Sequence, residues 1–273
     1  MNQSSTNKLS MLIEPSELST CIDNNIMIID LCSPQQYQAG HIPNAIHVSP
    51  TELVSGKPPA PGKLPEKEKL DALFSRLGLT PEKHIVVYDD EGGGWAGRFI
   101  WTLDVIGHKN YSYLNGGLIA WHGDNLPLTQ KAPEPTQTNY QTTIISDLVV
   151  TKEDILKKLG TPNLTVWDAR SAEEFTGTRQ TARRNGHIPN AIHCEWTELM
   201  DKKNNLRLRA DIKDYLFNKG INSEKNIITH CHSHHRSGLT YLAGKILGFS
   251  IKAYPGSWSE WGNDPTTPID TSY

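Results

Sequence analysis

Gly40-His41-Ile42-Pro43-Asn44-Ala45-Ile46-His47 recurs letter for letter as Gly186 to His193. Each copy follows a short apolar run ending in aspartate, Met27 to Asp30 and Leu164 to Asp168, and precedes Thr-Glu-Leu, at 51–53 and 197–199. Further on, Gly78 to Asp89 (GLTPEKHIVVYD) parallels Gly220 to Cys231 (GINSEKNIITHC). Asn115 to Trp121 then corresponds to Tyr254 to Trp261. Four landmarks in one order, twice, constrain the chain to a duplicated domain.

A length of 273 residues accommodates two such domains, each with its own core. Between the copies, Leu126 to Thr143 is rich in Pro, Thr and Gln and poor in apolar residues, the composition of an extended linker. The expected organisation is therefore a first domain over 1–126, a linker over 127–143 and a second domain over 144–273. Within each repeat, short β-branched runs alternate with amphipathic segments of helical length. Met27–Leu31, Ile85–Tyr88, Thr165–Asp168 and Asn226–His230 read as strands; Glu66–Leu77, Trp95–Val105, Ala210–Asn218 and Gly238–Gly248 read as helices. The fold class is α/β, a mostly parallel sheet flanked by helices in each half.

In such sheets ligands bind beyond the carboxyl ends of the strands. Cys231 stands there, after the strand ending at His230 and before a helix starting near Ser237. Its loop, His232-Ser233-His234-His235-Arg236, is rich in cations and small polar groups. Loop amides and a helix N-terminus can form an anion-binding nest, and Arg236 adds a permanent charge and a planar fork. Such surroundings lower a thiol's pKa from about 8.5 into the range of roughly 3.5–7.5, so Cys231 is expected to be an ionised nucleophile. His232, His234 and His235 could line the pocket and make it electropositive, and His230 could pack or cap at the strand end. Two plainer readings compete. A buried core cysteine would not be surrounded by His, Ser and Arg, and a metal site built from 230–235 would need adjacent residues to converge on one ion. Neither a metal nor a cofactor is expected.

The net charge of −3 gives no general attraction to nucleic acid or anionic membranes. Met1 to Ser10 is polar, and no apolar run reaches membrane-span length. The four cysteines, 21, 32, 194 and 231, form no CxxC pair and suit a reduced, cytoplasmic setting.

The duplicated Asp…GHIPNAIH…TEL landmarks, the cysteine loop before a helix and the terminal GSWSEWG resemble a tandem-domain rhodanese, over roughly Ser10 to Asp264. The CHSHHR loop is similar to the bacterial tandem branch. The resemblance implies a sulfurtransferase with its site in the second half. Cys231 would take the outer sulfur of an anionic donor such as thiosulfate as a persulfide and pass it to cyanide, a thiol or a thiol protein. Loop residues His232 to Ser237 would bind the donor and persulfide, with Arg236 holding the anion. Asp89 stands where the first repeat would need the cysteine, and Asp90 to Gly94 would repel an anionic donor, so that copy is expected to be inactive.

Animal enzymes of the family carry an arginine six residues after the landmark aspartate, where this chain has Glu174. Their loops are CRKGVT or CGSGVT, so their donor preference does not carry over, and 3-mercaptopyruvate or a persulfide-carrier role stays open. Asp168 and Trp196 are secondary candidates, although Asp30 in the same place argues for a structural Asp168. Trp258 and Trp261 read as core beside Trp121, and Cys32 as structural. The insertion Thr178 to Asn185, with Arg179, Arg183 and Arg184, is either an anion-recruiting flap or a solvated loop. A cysteine phosphatase or arsenate reductase uses a similar nest but has five residues between Cys and Arg, against four here.

Overall fold

The computed structural model describes residues 9–22 and 25–272, so of the polar opening only Leu9 and Ser10 lie within it. The first half runs β1 (Leu12–Ile13), α1 (Pro15–Cys21), β2 (Ile26–Asp30), α2 (Pro34–Ala39), β3 (Ala45–His47), α3 (Lys67–Leu77), β4 (His84–Tyr88), α4 (Gly94–Val105), β5 (Tyr111–Leu114) and α5 (Gly117–Gly123). The second runs α6 (Lys152–Lys158), β6 (Leu164–Asp168), α7 (Ala172–Thr176), β7 (Ile192–His193), β8 (Met200–Asp201), β9 (Arg207–Leu208), α8 (Ile212–Asn218), β10 (Asn226–His230), α9 (Arg236–Ile246), β11 (Ile251–Ala253) and α10 (Ser257–Trp261).

Two parallel sheets result, ordered β1-β5-β4-β2-β3 and β11-β10-β6-β7. The central strands are buried on both faces, which is why they read as unbroken β-branched runs. The orders superpose strand for strand except that β1 has shrunk, in the second half, to a parallel bridge between Val149 and Ala253. Gly78 and Gly220, the paired helix ends, both adopt left-handed φ, at 76° and 82°.

The repeated octapeptide does structural work. Asn44 and Asn190 both take left-handed φ, 66° and 62°, at the turn before β3 and β7. His41 stacks on Tyr37 at 3.8 Å and His187 on Phe175 at 3.7 Å. His47 and His193 each reach back through Nε2 to the carbonyl of residue 32 or 170, at 3.0 and 2.8 Å. In Thr-Glu-Leu, Glu52 and Glu198 accept the N–H of residues 49 and 195 and cap a 3-10 turn. Trp121 and Trp261 are both fully buried, and each donates its indole N–H to a proline carbonyl six or seven residues on.

The linker is extended, as its composition predicts, yet it is pinned along the first domain. Thr129 and His41 exchange two backbone hydrogen bonds of 2.9 Å, and Thr142 donates through its N–H and hydroxyl to Asp71. The domains meet where α4 packs on α9, and one apolar core crosses that contact through Phe99, Leu103, Leu239 and Leu242. The helices approach at glycines. A Cβ on Gly97 would lie 2.1 Å from the Gly238 carbonyl oxygen, and one on Gly238 would lie 2.3 Å from the Gly94 carbonyl oxygen.

Candidate active site

β10 lies parallel between β6 and β11 and delivers Cys231 to the sheet edge next to the end of β6. The start of α10 holds the loop from outside. Trp258 N–H donates to the Cys231 carbonyl at 3.0 Å and Ser259 N–H to the His232 carbonyl at 2.9 Å. With those carbonyls turned outward, the N–H groups of His232 to His235 take no backbone acceptor among the described residues. His234 sits at a left-handed φ of 56°, the conformation that curls successive amides into a nest. His235 caps α9, so Arg236 and Ser237 occupy its first turn.

Cys231 is 1% exposed. Burial by itself would raise its thiol, but Arg236, hydrogen bonds from the Ser237 hydroxyl and N–H, and His235 bring it below the ordinary value. The downward pull on the thiol thus comes chiefly from the first turn of α9. Ser237 is held in turn by His234, whose Nδ1 lies 2.8 Å from its hydroxyl. Arg236 does not stand free. It makes a fork with Glu174, Nη1 to Oε2 at 2.5 Å and Nη2 to Oε1 at 2.9 Å. Glu174, placed by the capping box at Ser171, is buried, yet Arg236 keeps its carboxyl below the usual range.

The histidines part company. His234 is fully buried, edge-on to Trp101 at 4.6 Å, and burial with nearby Arg98 pushes it well below the ordinary imidazole value. It is neutral and faces the domain interface, so it does not supply the positive charge expected of it. Half-buried His232 is also pushed down by burial. Only His235 is raised: burial opposes its charge, and Glu91 of the first half overcomes that. His230 is buried, with Nδ1 3.1 Å from the Cys231 carbonyl and Nε2 3.5 Å from Asp168.

Much of the site's wall comes from the first domain, a contribution with no signature near Cys231 in the sequence. Glu91 pairs with His235, and Trp95 stacks on the same ring at 4.3 Å. A Cβ on Gly62 would lie 2.1 Å from the Ser233 carbonyl oxygen. Gly62 is held by Arg98, a fully buried arginine that donates to the carbonyls of Gly62 and Leu53, both at 2.6 Å. The exchange is mutual. The ribbon β8–β9 reaches the first half, where Met200 covers Gly92, Arg207 pairs with Glu14 and Asp124, and Asn115 accepts the Leu208 N–H. Both crossing segments follow Thr-Glu-Leu, the one available signal for them in the sequence.

In the first half the nest is filled by its own side chain. Asp89 Oδ1 accepts from the N–H groups of Glu91, Gly92 and Gly93 at 2.8–3.2 Å, and Oδ2 from Ala96 at 2.9 Å. The nest amides of this copy are thus taken up by Asp89 itself, and Glu91 turns to the other domain.

Asp168 lies behind the loop. Burial would raise it, but Arg170 and His230 hold it well below the ordinary value, and Arg170 makes a bidentate pair with it over the Trp258 ring. Trp196 opens the 3-10 turn beside the loop, its ring 5.7 Å from that of His235. Arg184 is committed to carbonyls of Trp261, Asp264 and Thr267 and ties down the C-terminal segment, so it is not a recruiting charge. Arg179 and Arg183 are exposed. Cys32 is buried, and burial with Asp30 pushes its thiol far up.

The sequence profile of the rhodanese-like domain matches residues 14–124 and again 151–264. A thiosulfate sulfurtransferase of Pseudomonas aeruginosa is 50% identical over 264 residues, covering 96% of this chain and 97% of that protein. A 3-mercaptopyruvate sulfurtransferase of Escherichia coli is 32% identical across 91% of this chain and 93% of that protein. The crystal structure of SseA from Escherichia coli, described as a 3-mercaptopyruvate sulfotransferase, superposes with a TM-score of 0.80 at 30% identity over 92% of this chain and 99% of that one.

Proposed function

The chain belongs to the rhodanese family as a tandem-domain sulfurtransferase, and from that premise we propose that Cys231 carries the transferred sulfur, with thiosulfate as donor. The observation that supports this reading is a thiol held low by Arg236 and Ser237 within a nest whose amides take no backbone acceptor. The thiolate attacks the outer sulfur of thiosulfate. The sulfur–sulfur bond breaks, its electron pair leaves on sulfite, and Cys231 becomes a persulfide. Cyanide, or an acceptor thiol, then attacks the terminal sulfur; thiocyanate or the acceptor's persulfide departs and the thiolate returns. Ser237 and the amides of His232 to His235 hold the sulfur anion, and His234 fixes the Ser237 hydroxyl. Arg236, shared with Glu174, meets the donor's charge at the rim. Asp168 orders the loop through His230 and Arg170, and Trp196 borders the entrance.

A cycle confined to one thiol needs neither metal nor cofactor. Residues 127–143 form the linker between the working second domain and the first. Four free cysteines support a reduced, cytoplasmic setting, and among the described residues no helix is long and apolar enough to cross a membrane. Intact mass decides the mechanism. Thiosulfate should add one sulfur, and Cys231→Ala should abolish the gain; no gain from thiosulfate or 3-mercaptopyruvate would overturn the reading. Gain from 3-mercaptopyruvate alone would reassign the donor, and phosphate release in place of sulfite would reassign the chemistry.

A further inference from the structure

We propose that Glu91, in the loop of the half without a thiol, is a positioning residue for sulfur transfer: its ion pair with His235 keeps an imidazolium beside Cys231. The proposal rests on the Cys231 reading and adds a function for the degenerate repeat.

His235 is 24% exposed at its side chain and so loses much of its hydration. A half-buried imidazole is neutral unless something in its surroundings favours the cation. Three contacts do. Glu91 pairs with Nε2, Trp95 stacks on the ring at 4.3 Å and 22°, and Trp196 closes the other approach at 5.7 Å. Glu91 and Trp95 belong to the loop and first turn before the domain interface, so the first domain supplies the carboxylate and the closer aromatic face. The fit leaves no slack at Gly94, where a Cβ would lie 2.7 Å from His235 Nε2 and 2.8 Å from Glu91 Oε1. The charged and titratable groups around His235 include Glu91 and Asp89 across the interface, Cys231 and His234 on its own loop, and Arg236 next to it in the chain. Arg98, facing His234 from α4, helps keep that second imidazole neutral. His235 is thus the one loop histidine whose surroundings favour a cation, and its charge is among the influences that lower the Cys231 thiol.

The duplication explains the arrangement. In the first loop Asp89 takes the nest amides, which frees Glu91 to turn across the interface. A carboxylate in the silent copy then balances a cation that the working copy needs near its sulfur, in both the thiolate and the persulfide.

The test is the pH profile of Cys231 alkylation by iodoacetamide in the full chain. Glu91→Gln should move the midpoint up by roughly half to one pH unit and slow the reaction at pH 7 about threefold to tenfold. Glu91→Asp should recover part of that. His235→Gln should give a shift of the same size, with no further loss in the double variant. Asp90→Asn, which removes an equal charge from the same loop, should leave the profile in place. Tryptophan fluorescence should lose a pH-dependent step in Glu91→Gln, since Trp95 no longer stacks on an imidazolium. An unchanged profile in Glu91→Gln, or a full-sized Glu91 effect in the His235→Gln background, would overturn the proposal. Either could occur while the native protein still gains sulfur from thiosulfate, so failure here is distinct from failure of the Cys231 reading.

Discussion

After β4 and after β10 the chain enters a helix over the same number of residues, Asp89 to Gly94 and Cys231 to Arg236, and the two turns differ in what meets their amides. At the first, Asp89 folds back and takes four amide hydrogen bonds. At the second, the matching N–H groups of Ser233, His234 and His235 take no backbone acceptor among the described residues, while that of Gly238 donates to the His235 carbonyl. A nest satisfied by a tethered carboxylate is a structural element; one whose donors await the reacting atom is a preorganised site. The pair behind each nest differs in the same spirit. Asp30, Tyr88 and Cys32 form a set in which burial raises the carboxyl. Asp168, His230 and Arg170 form one in which charges lower it.

The largest effect should come from making the two loops alike. Cys231→Asp should close the second nest on its own carboxylate, keep the fold, and cut sulfite release by at least about 10³-fold. Wild-type thermal unfolding with surviving turnover would break the comparison.

The landmark aspartates give the next test. Asp168→Asn strands a buried guanidinium and should cost about 3–5 kcal/mol in urea unfolding, whereas Asp30→Asn removes hydrogen bonds only and should cost about 1 kcal/mol. Their pH senses oppose. Asp168, held below its ordinary pKa, contributes stability that is complete above that value and is lost as the pH falls beneath it. Asp30, held above it, contributes stability present at low pH that is lost as the pH rises through its folded pKa.

At the interface that joins the halves, Gly97→Val should destabilise by about 3 kcal/mol through overpacking against the Gly238 carbonyl, measurable as a lowered Tm. A smaller, specific effect is expected at the rim. Arg236→Lys keeps the charge but loses the fork to Glu174, and should raise KM for thiosulfate about tenfold with a lesser change in kcat. The smallest expected effect is none: Asp89→Cys should still bind one sulfur per chain, because Met200 covers that loop and Glu91 is engaged elsewhere. A second sulfur on intact mass would show that the thiol alone separates the two halves.

Much of this fold was legible because duplication supplied an internal comparison. The strands at 226–230 and the helices at 67–77 and 94–105 fall within two residues of their sequence-based bounds, since buried parallel strands and glycine C-caps leave local marks. The loop around Cys231 was legible for the same reason. Its histidines were not, because His232, His234 and His235 differ only in what lies opposite them. His234 meets Trp101 and Arg98 and is neutral, while His235 meets Glu91 and is favoured as a cation. The sequence leaves Arg184 between a recruiting flap and a solvated loop, because its carbonyl partners lie near 261–267, beyond any local pattern.

The sequence alone determined that the domain is written twice, that each copy is an α/β sheet, and that a thiol at one strand end faces a carboxylate at the other. Those are local properties of periodicity, capping and residue type, carried by short stretches of chain. Tertiary structure decided that Arg236 is paired with Glu174, that the segments after Thr-Glu-Leu cross between domains, and that Glu91 of one repeat pairs with His235 of the other. Such pairings join residues distant in the chain, and their strength depends on burial and on distances of a few ångströms, which only packing α4 against α9 fixes.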